Sequence, residues 1–256
     1  MPDNHVPTNR DHWNADAANW VAAGRKAWAA GTPYWGIWEW PEHDLQLLPA
    51  DMTGLDAIEL GCGTGYVSGW MARRGARVTG IDISTGQLET ARQLAAQHDT
   101  PITLLEGNAE ATGLPDAGFD FAFSEYGAAI WCDPHVWLPE AHRLLRPGGT
   151  LVFLGHHPFI YLTTPYDTQD CERVLHRPYK GLHAEDWTKD AVDPGGVEFN
   201  LTFADWMTLF ARTGFAVTRY QELYAPETAT GAPFGIPADW ARDYPSEQVW
   251  HLRKTG

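Results

Sequence analysis

A chain of 256 residues with 44% apolar side chains and 13 tryptophans can bury a sizeable core, which excludes global disorder. The formal net charge of −15 leaves none of the clustered Lys and Arg that a phosphate backbone demands, so no nucleic-acid partner is expected. No apolar run approaches the roughly 18 residues of a membrane span, so no membrane partner is expected either.

Residues 1–14 are polar and lack a basic-then-apolar leader, and Cys62, Cys132 and Cys171 are odd in number and far apart. Both features lead to the expectation of a reducing, cytoplasmic setting. Residues 1–12 read as a mobile tail. Over 13–30 the pattern turns helical, with Trp13, Ala17, Trp20, Val21 and Trp28 near one face and Gly31 and Pro33 as the stop. An aromatic cluster follows, Tyr34, Trp35, Trp38 and Trp40. It reads first as a plug that packs this cap on the core, and alternatively as a lid over a site; the two can coexist.

From 56 onward, short apolar runs alternate with amphipathic stretches. Strands are predicted at 56–60, 77–82, 102–105, 119–124 and 150–155. Helices are predicted at 64–74, closed by Gly75, and from Ser84, where Gln87 completes a capping box. Asp133 before Pro134 reads as a helix cap, while Pro139 argues for a kink or a later start. Residues 156–200 look like an irregular insertion. Thr202 and Asp205 open another helix that ends at Gly214, and 215–223 and 248–252 are two last strands. Strand and helix alternating at short spacing mean an α/β fold: a doubly wound, mostly parallel sheet with helices on both faces. The expected division is one domain over 1–256, with a cap over 1–53, a core over 54–155, the insertion over 156–200 and a closing helix and strands over 201–256.

The first core strand, its loop and the next strand carry the chemistry. Gly61, Gly63 and Gly65 let backbone approach a ligand where a Cβ would clash. Asp82 ends the second strand, where a carboxylate can accept from ribose hydroxyls. The glycine spacing departs from the dinucleotide fingerprint, and no Lys-Ser/Thr follows to make a P-loop. Glu59, just under the loop, would repel a pyrophosphate and suit a cation. The run Glu59-Leu-Gly-Cys-Gly-Thr-Gly65, then Asp82, Gly107-Asn-Ala-Glu110 and Leu145-Arg-Pro-Gly-Gly149, resembles the class I S-adenosylmethionine-dependent methyltransferases of small-molecule type.

That resemblance implies a seven-stranded Rossmann-like sheet ending in an antiparallel hairpin, and S-adenosylmethionine as cofactor. It places the methionine part on the loop (Gly61, Cys62, Gly63, Gly65) and Glu59, the ribose on Asp82, and adenine against Ile83, with Asn108 and Ala109 beside it. Glu125 falls near the methionine end or the acceptor. Methyl transfer from a sulfonium is an in-line displacement in which the protein mainly positions donor and acceptor. His156 and His157, past the fifth strand, are the candidate catalytic bases, and Trp131, His135, Trp35 and Trp38 the candidate acceptor wall. No metal is expected, since no ligand spacing supports one. The expected activity is methyl transfer to a small-molecule O, N, S or C nucleophile. The alternatives are a nicotinamide oxidoreductase and a cofactor-binding scaffold without turnover. Oligomeric state stays open.

Overall fold

The computed structural model describes residues 5–168, 170–189 and 195–255. Its first helices are α1 (His5–Asp16) and α2 (Val21–Ala29), joined by one turn of 3-10 helix at Ala17–Trp20. The helix expected over 13–30 is therefore two, and residues 5–12 are ordered helix, not a tail. The reason is polar. Asn9, only 3% exposed, accepts from the Val197 N–H and donates to the Val197 and Trp131 carbonyls at 2.7, 2.8 and 2.9 Å. No apolar stripe announces such a clamp.

The aromatic cluster folds into a two-residue hairpin, β1 (Tyr34–Trp35) and β2 (Trp40–Pro41), followed by the single turn α3 (Glu42–Leu45). Trp35 is fully buried against Trp70 and Phe123, which makes it a plug. Glu42 ties the hairpin down, accepting from Trp35 Nε1, the Leu47 and Leu48 N–H groups and Arg74.

The core then runs β3 (Asp56–Leu60), α4 (Tyr66–Arg73), β4 (Arg77–Asp82), α5 (Thr85–Gln97), β5 (Thr103–Glu106), β6 (Phe119–Glu125), α6 (Ala128–Trp131), α7 (Pro134–Leu144) and β7 (Leu145–His156). The insertion holds α8 (Pro158–Thr163) and an antiparallel pair, β8 (Ala184–Asp186) and β9 (Val197–Phe199). After it come α9 (Phe203–Thr213), β10 (Phe215–Leu223), α10 (Ala238–Asp243) and β11 (Glu247–Lys254).

Seven strands form one sheet in the order β10-β11-β7-β6-β3-β4-β5. The five strands from β7 to β5 are parallel, and β11 and β10 close the β7 edge as an antiparallel hairpin. Ser84 and Thr202 cap α5 and α9 through their side chains, and Gly214 ends α9 in the left-handed region, as the capping patterns predict. Asp133 likewise caps α7 at Pro134. The helix starts there and continues through Pro139, so no later start is needed. The carbonyl that Pro139 cannot serve belongs to His135, an exposed residue. The Arg146–Gly149 turn is absorbed into β7 as an irregularity between the Phe119/Leu145 and Phe121/Thr150 pairs.

Alternation along the strands fills both faces. Ile58 and Leu60 join Trp137, Phe153 and Trp206 on one side, while Ala57 joins Val67, Trp70, Phe121 and Phe123 on the other. Glu59 and Glu125 keep step with Ala57 and Phe123. Both therefore point to the face covered by α4 and the N-terminal hairpin.

Candidate active site

The chain order reverses at β3, whose neighbours are β4 and β6. Open α/β sheets bind ligands beyond the strand tips at such a switch point. A cavity opens there, continuous with solvent. Glu59, Gly61, Cys62, Gly63, Asp82, Ile83, Asn108, Ala109 and Glu125 all line it.

Gly65, also predicted for the site, stands behind the wall. It caps α4 in the left-handed region, and a Cβ there would meet Ala91 at 3.2 Å. Gly61 is held tighter still. At φ +74° its Cβ would fall 2.6 Å from Gly127 Cα, because the glycine loop and the turn after β6 touch backbone to backbone. Gly127 thus shapes the site as much as the loop does, and only its place after the fourth core strand hinted at that.

Each carboxylate is built in. Glu59, 2% exposed, accepts from the Ser68 N–H (2.7 Å) and Oγ (2.5 Å) in the first turns of α4. Burial nevertheless pushes it up to about 8, and Glu125 and Asp82 nearby add to the rise. Asp82 accepts from Gly63 N–H at 2.7 Å and Ser84 N–H at 2.8 Å, and burial raises it too. Glu125 accepts from Gly36 N–H and Tyr66 Oη, both at 2.9 Å; burial lifts it to about 7. Asn108 accepts from the Glu110 N–H, bracing its own turn at the cavity wall.

The remaining wall comes from the cap and the end of β6: Val6, Asn9, Trp13, Trp20, Tyr66, Gln87, Glu110, Tyr126, Trp131 and Cys132. Of the expected acceptor wall only Trp131 is present. Trp35 is core, Trp38 donates to Ser246 Oγ at 2.9 Å, and His135 lies outside the lining. Sequence reasoning placed Trp13 and Trp20 on one helix face without singling them out as lining residues.

His156 and His157 do not line the cavity. The His156 ring stands edge-on to Tyr126 at 5.0 Å, behind the wall, with Glu198 3.5 Å from Nδ1. His157 caps α8 by accepting from the Phe159 N–H, and burial lowers it to about 4.

The donor set fits a cation. Among the described residues, four carboxylates line the cavity (Glu59, Asp82, Glu110 and Glu125), and no Lys, Arg or His does. Gln87 Oε1 is a buried acceptor without a partner at the same wall, and no side chain crowds Gly63. Those features suit a nucleoside bearing a sulfonium and an ammonium, and they oppose a pyrophosphate.

Comparison with known proteins agrees. Residues 58–153 match the family model described as a methyltransferase domain. The malonyl-[acyl-carrier protein] O-methyltransferase of Serratia marcescens is 42% identical over 101 residues, 39% of this chain and 38% of that protein. The ubiquinone biosynthesis O-methyltransferase of Ruegeria pomeroyi is 33% identical over 138 residues, covering 53% and 54%. An S-adenosylmethionine-dependent methyltransferase structure from Mesorhizobium loti superposes with TM-score 0.66 at 26% identity, covering 86% of this chain and 99% of that one. The chain spans about two fifths of the length of the first of these sequence relatives. Residues 58–153 therefore carry a methyltransferase domain, and the chain is similar in fold to S-adenosylmethionine-dependent methyltransferases.

Proposed function

We propose that the protein transfers a methyl group from S-adenosylmethionine to a small acceptor with a planar or apolar body. The observation that carries this reading is the cavity at the β3/β6 switch point, lined among the described residues by four carboxylates and no basic side chain. When bound, the cofactor supplies an activated methyl group on a sulfonium.

The chain's own residues do the rest. Asp82, fixed by two backbone N–H groups, accepts from ribose hydroxyls. Glu59 and Glu125 offset the positive charge. Ile83, Ala109 and Asn108 hold the base, and the Gly61–Gly63 backbone makes room for the methionine end. Trp13, Trp20 and Trp131 exclude water and give the acceptor an apolar wall. Glu125, near 7 through burial, is the lining group suited to take an acceptor proton close to neutrality. The two histidines contribute behind the wall, His156 by backing Tyr126.

The relatives named above act, by their names, on a carrier-bound malonyl group and in ubiquinone biosynthesis, which supports an oxygen nucleophile. The net charge of −15 argues against nucleic acid as substrate. Among the described residues no helix is long and apolar enough to cross a membrane. Three free cysteines suit the reducing conditions of a cytoplasm.

The test is turnover of methyl-labelled S-adenosylmethionine against a panel of small phenols and carboxylic acids. Label should reach at least one acceptor, and Asp82→Ala should abolish transfer. Label reaching only protein or nucleic acid would overturn the small-molecule reading.

A further inference from the structure

Two residues beyond Trp131, outside the cavity, a second group of donors converges. Asp133 caps α7, His135 lies in its first turn, and His183 comes from the insertion just before β8. One donor atom from each lies within 4.8 Å of the other two. We propose that Asp133, His135 and His183 form a site for one divalent transition-metal ion of the zinc type, which fastens the insertion to the start of α7.

The donor types are those such an ion selects, since imidazole with carboxylate suits zinc and its neighbours in the first transition row. The geometry is close to what coordination requires. With bonds of about 2.0–2.2 Å, tetrahedral ligand atoms sit about 3.3–3.5 Å apart. Asp133 Oδ1 and His183 Nε2 already stand 3.0 Å apart. The His135 and His183 ring centres are 5.3 Å apart, and His135 is exposed, so a rotamer change closes the remaining gap. Three protein ligands would leave a fourth position for water.

The surroundings favour a cation. Asp133 is fixed in place: its N–H donates to Glu110 Oε1 at 2.6 Å, and its Oδ1 accepts from the His135 N–H at 2.9 Å. Glu110 brings a second negative charge next to the site. Glu110 has His5 Nε2 at 2.7 Å as its own partner, and among the described residues neither carboxylate pairs with a Lys or Arg.

The site also lies where a fastening has a consequence. The His183 carbonyl accepts from the Asn200 N–H, and β8 and β9 continue from there to Val197, which the Asn9 clamp holds to α1. Asn9 and Trp131 line the cofactor cavity. An ion at Asp133 would therefore secure β8–β9, and through it α1, against the wall of the cavity.

The experiment is calorimetric titration of the chelator-stripped full chain with ZnCl2 at pH 7.5. One ion per chain is expected, with affinity falling at least tenfold in His135→Ala and again in His183→Ala, while His43→Ala, at a remote exposed histidine, binds as the parent does. His135 is exposed, so its variant keeps the fold, which circular dichroism verifies. Hydrogen exchange should also slow at the β8–β9 amides when zinc is added to the parent chain. No zinc bound, or zinc bound by both variants as tightly as by the parent, would overturn the site. Unchanged exchange would remove the fastening role.

Discussion

Binding of S-adenosylmethionine should release protons. Glu59 sits at about 8 and Glu125 at about 7, both because burial penalises the charged carboxylate. At pH 7 Glu59 is therefore about nine-tenths protonated and Glu125 about half. A cation entering the cavity favours the ionised form of each, so between about one and one and a half protons should leave on binding at pH 7. By linkage, affinity should rise up to about 50-fold from pH 6 to 7 and about tenfold from pH 7 to 8, then level off. Calorimetry at one pH in buffers of differing ionisation enthalpy counts the protons directly. In Glu59→Gln the count should fall by roughly one and the pH slope should flatten. Heats that do not depend on the buffer, or protons taken up on binding, would refute the reasoning that the carboxylates meet a positive charge.

Further outcomes follow from the same geometry. Asp82→Asn keeps the shape but loses charge-assisted hydrogen bonds worth about 1.5–3 kcal/mol each, so cofactor affinity should drop by roughly 10- to 100-fold in equilibrium binding with the circular dichroism unchanged. Gly61→Ala places a Cβ 2.6 Å from Gly127 Cα at φ +74°, and should cost about 2–4 kcal/mol, read as a fall in denaturation midpoint. The free protein should lose stability as pH rises from 5 to 8. Glu59, Glu125 and Glu247 are raised above the usual 4.5 to about 8, 7 and 7, so the native state holds the extra protons in that window, and thermal melts should move down with pH. His156→Ala and His157→Ala should leave cofactor affinity within about twofold by calorimetry, a change below about 0.4 kcal/mol, because neither ring lines the cavity.

The sheet was legible because its local signals agree. Apolar runs, the Ser84 and Thr202 caps and the Gly214 stop each point to the element that forms. The direction of Glu59 could also be read, since period-two alternation sends it to the α4 face with Ala57. What could not be read depends on contacts between distant segments. The order in α1 rests on Asn9 bonding to residues 122 and 188 positions away, and polar clamps leave no periodic trace. Gly127 looks like any turn glycine until Gly61 is seen against it. His156 and His157 seemed to stand on the rim because a strand end was expected at Gly155. β7 runs on to His156, which pairs with Glu247 of β11, and that pairing turns its ring behind Tyr126. Trp13 and Trp20 read only as two residues on one face of a single helix. The 3-10 turn between α1 and α2 swings them to the cavity.

The decisive measurement is a side-by-side calorimetric titration of the purified chain with S-adenosylmethionine and with NAD. The prediction is one S-adenosylmethionine bound per chain, weakened in Asp82→Asn, and no heat from NAD. NAD binding in preference, or S-adenosylmethionine binding that ignores Asp82, would contradict the placement of a cationic nucleoside at the tips of β3 and β4.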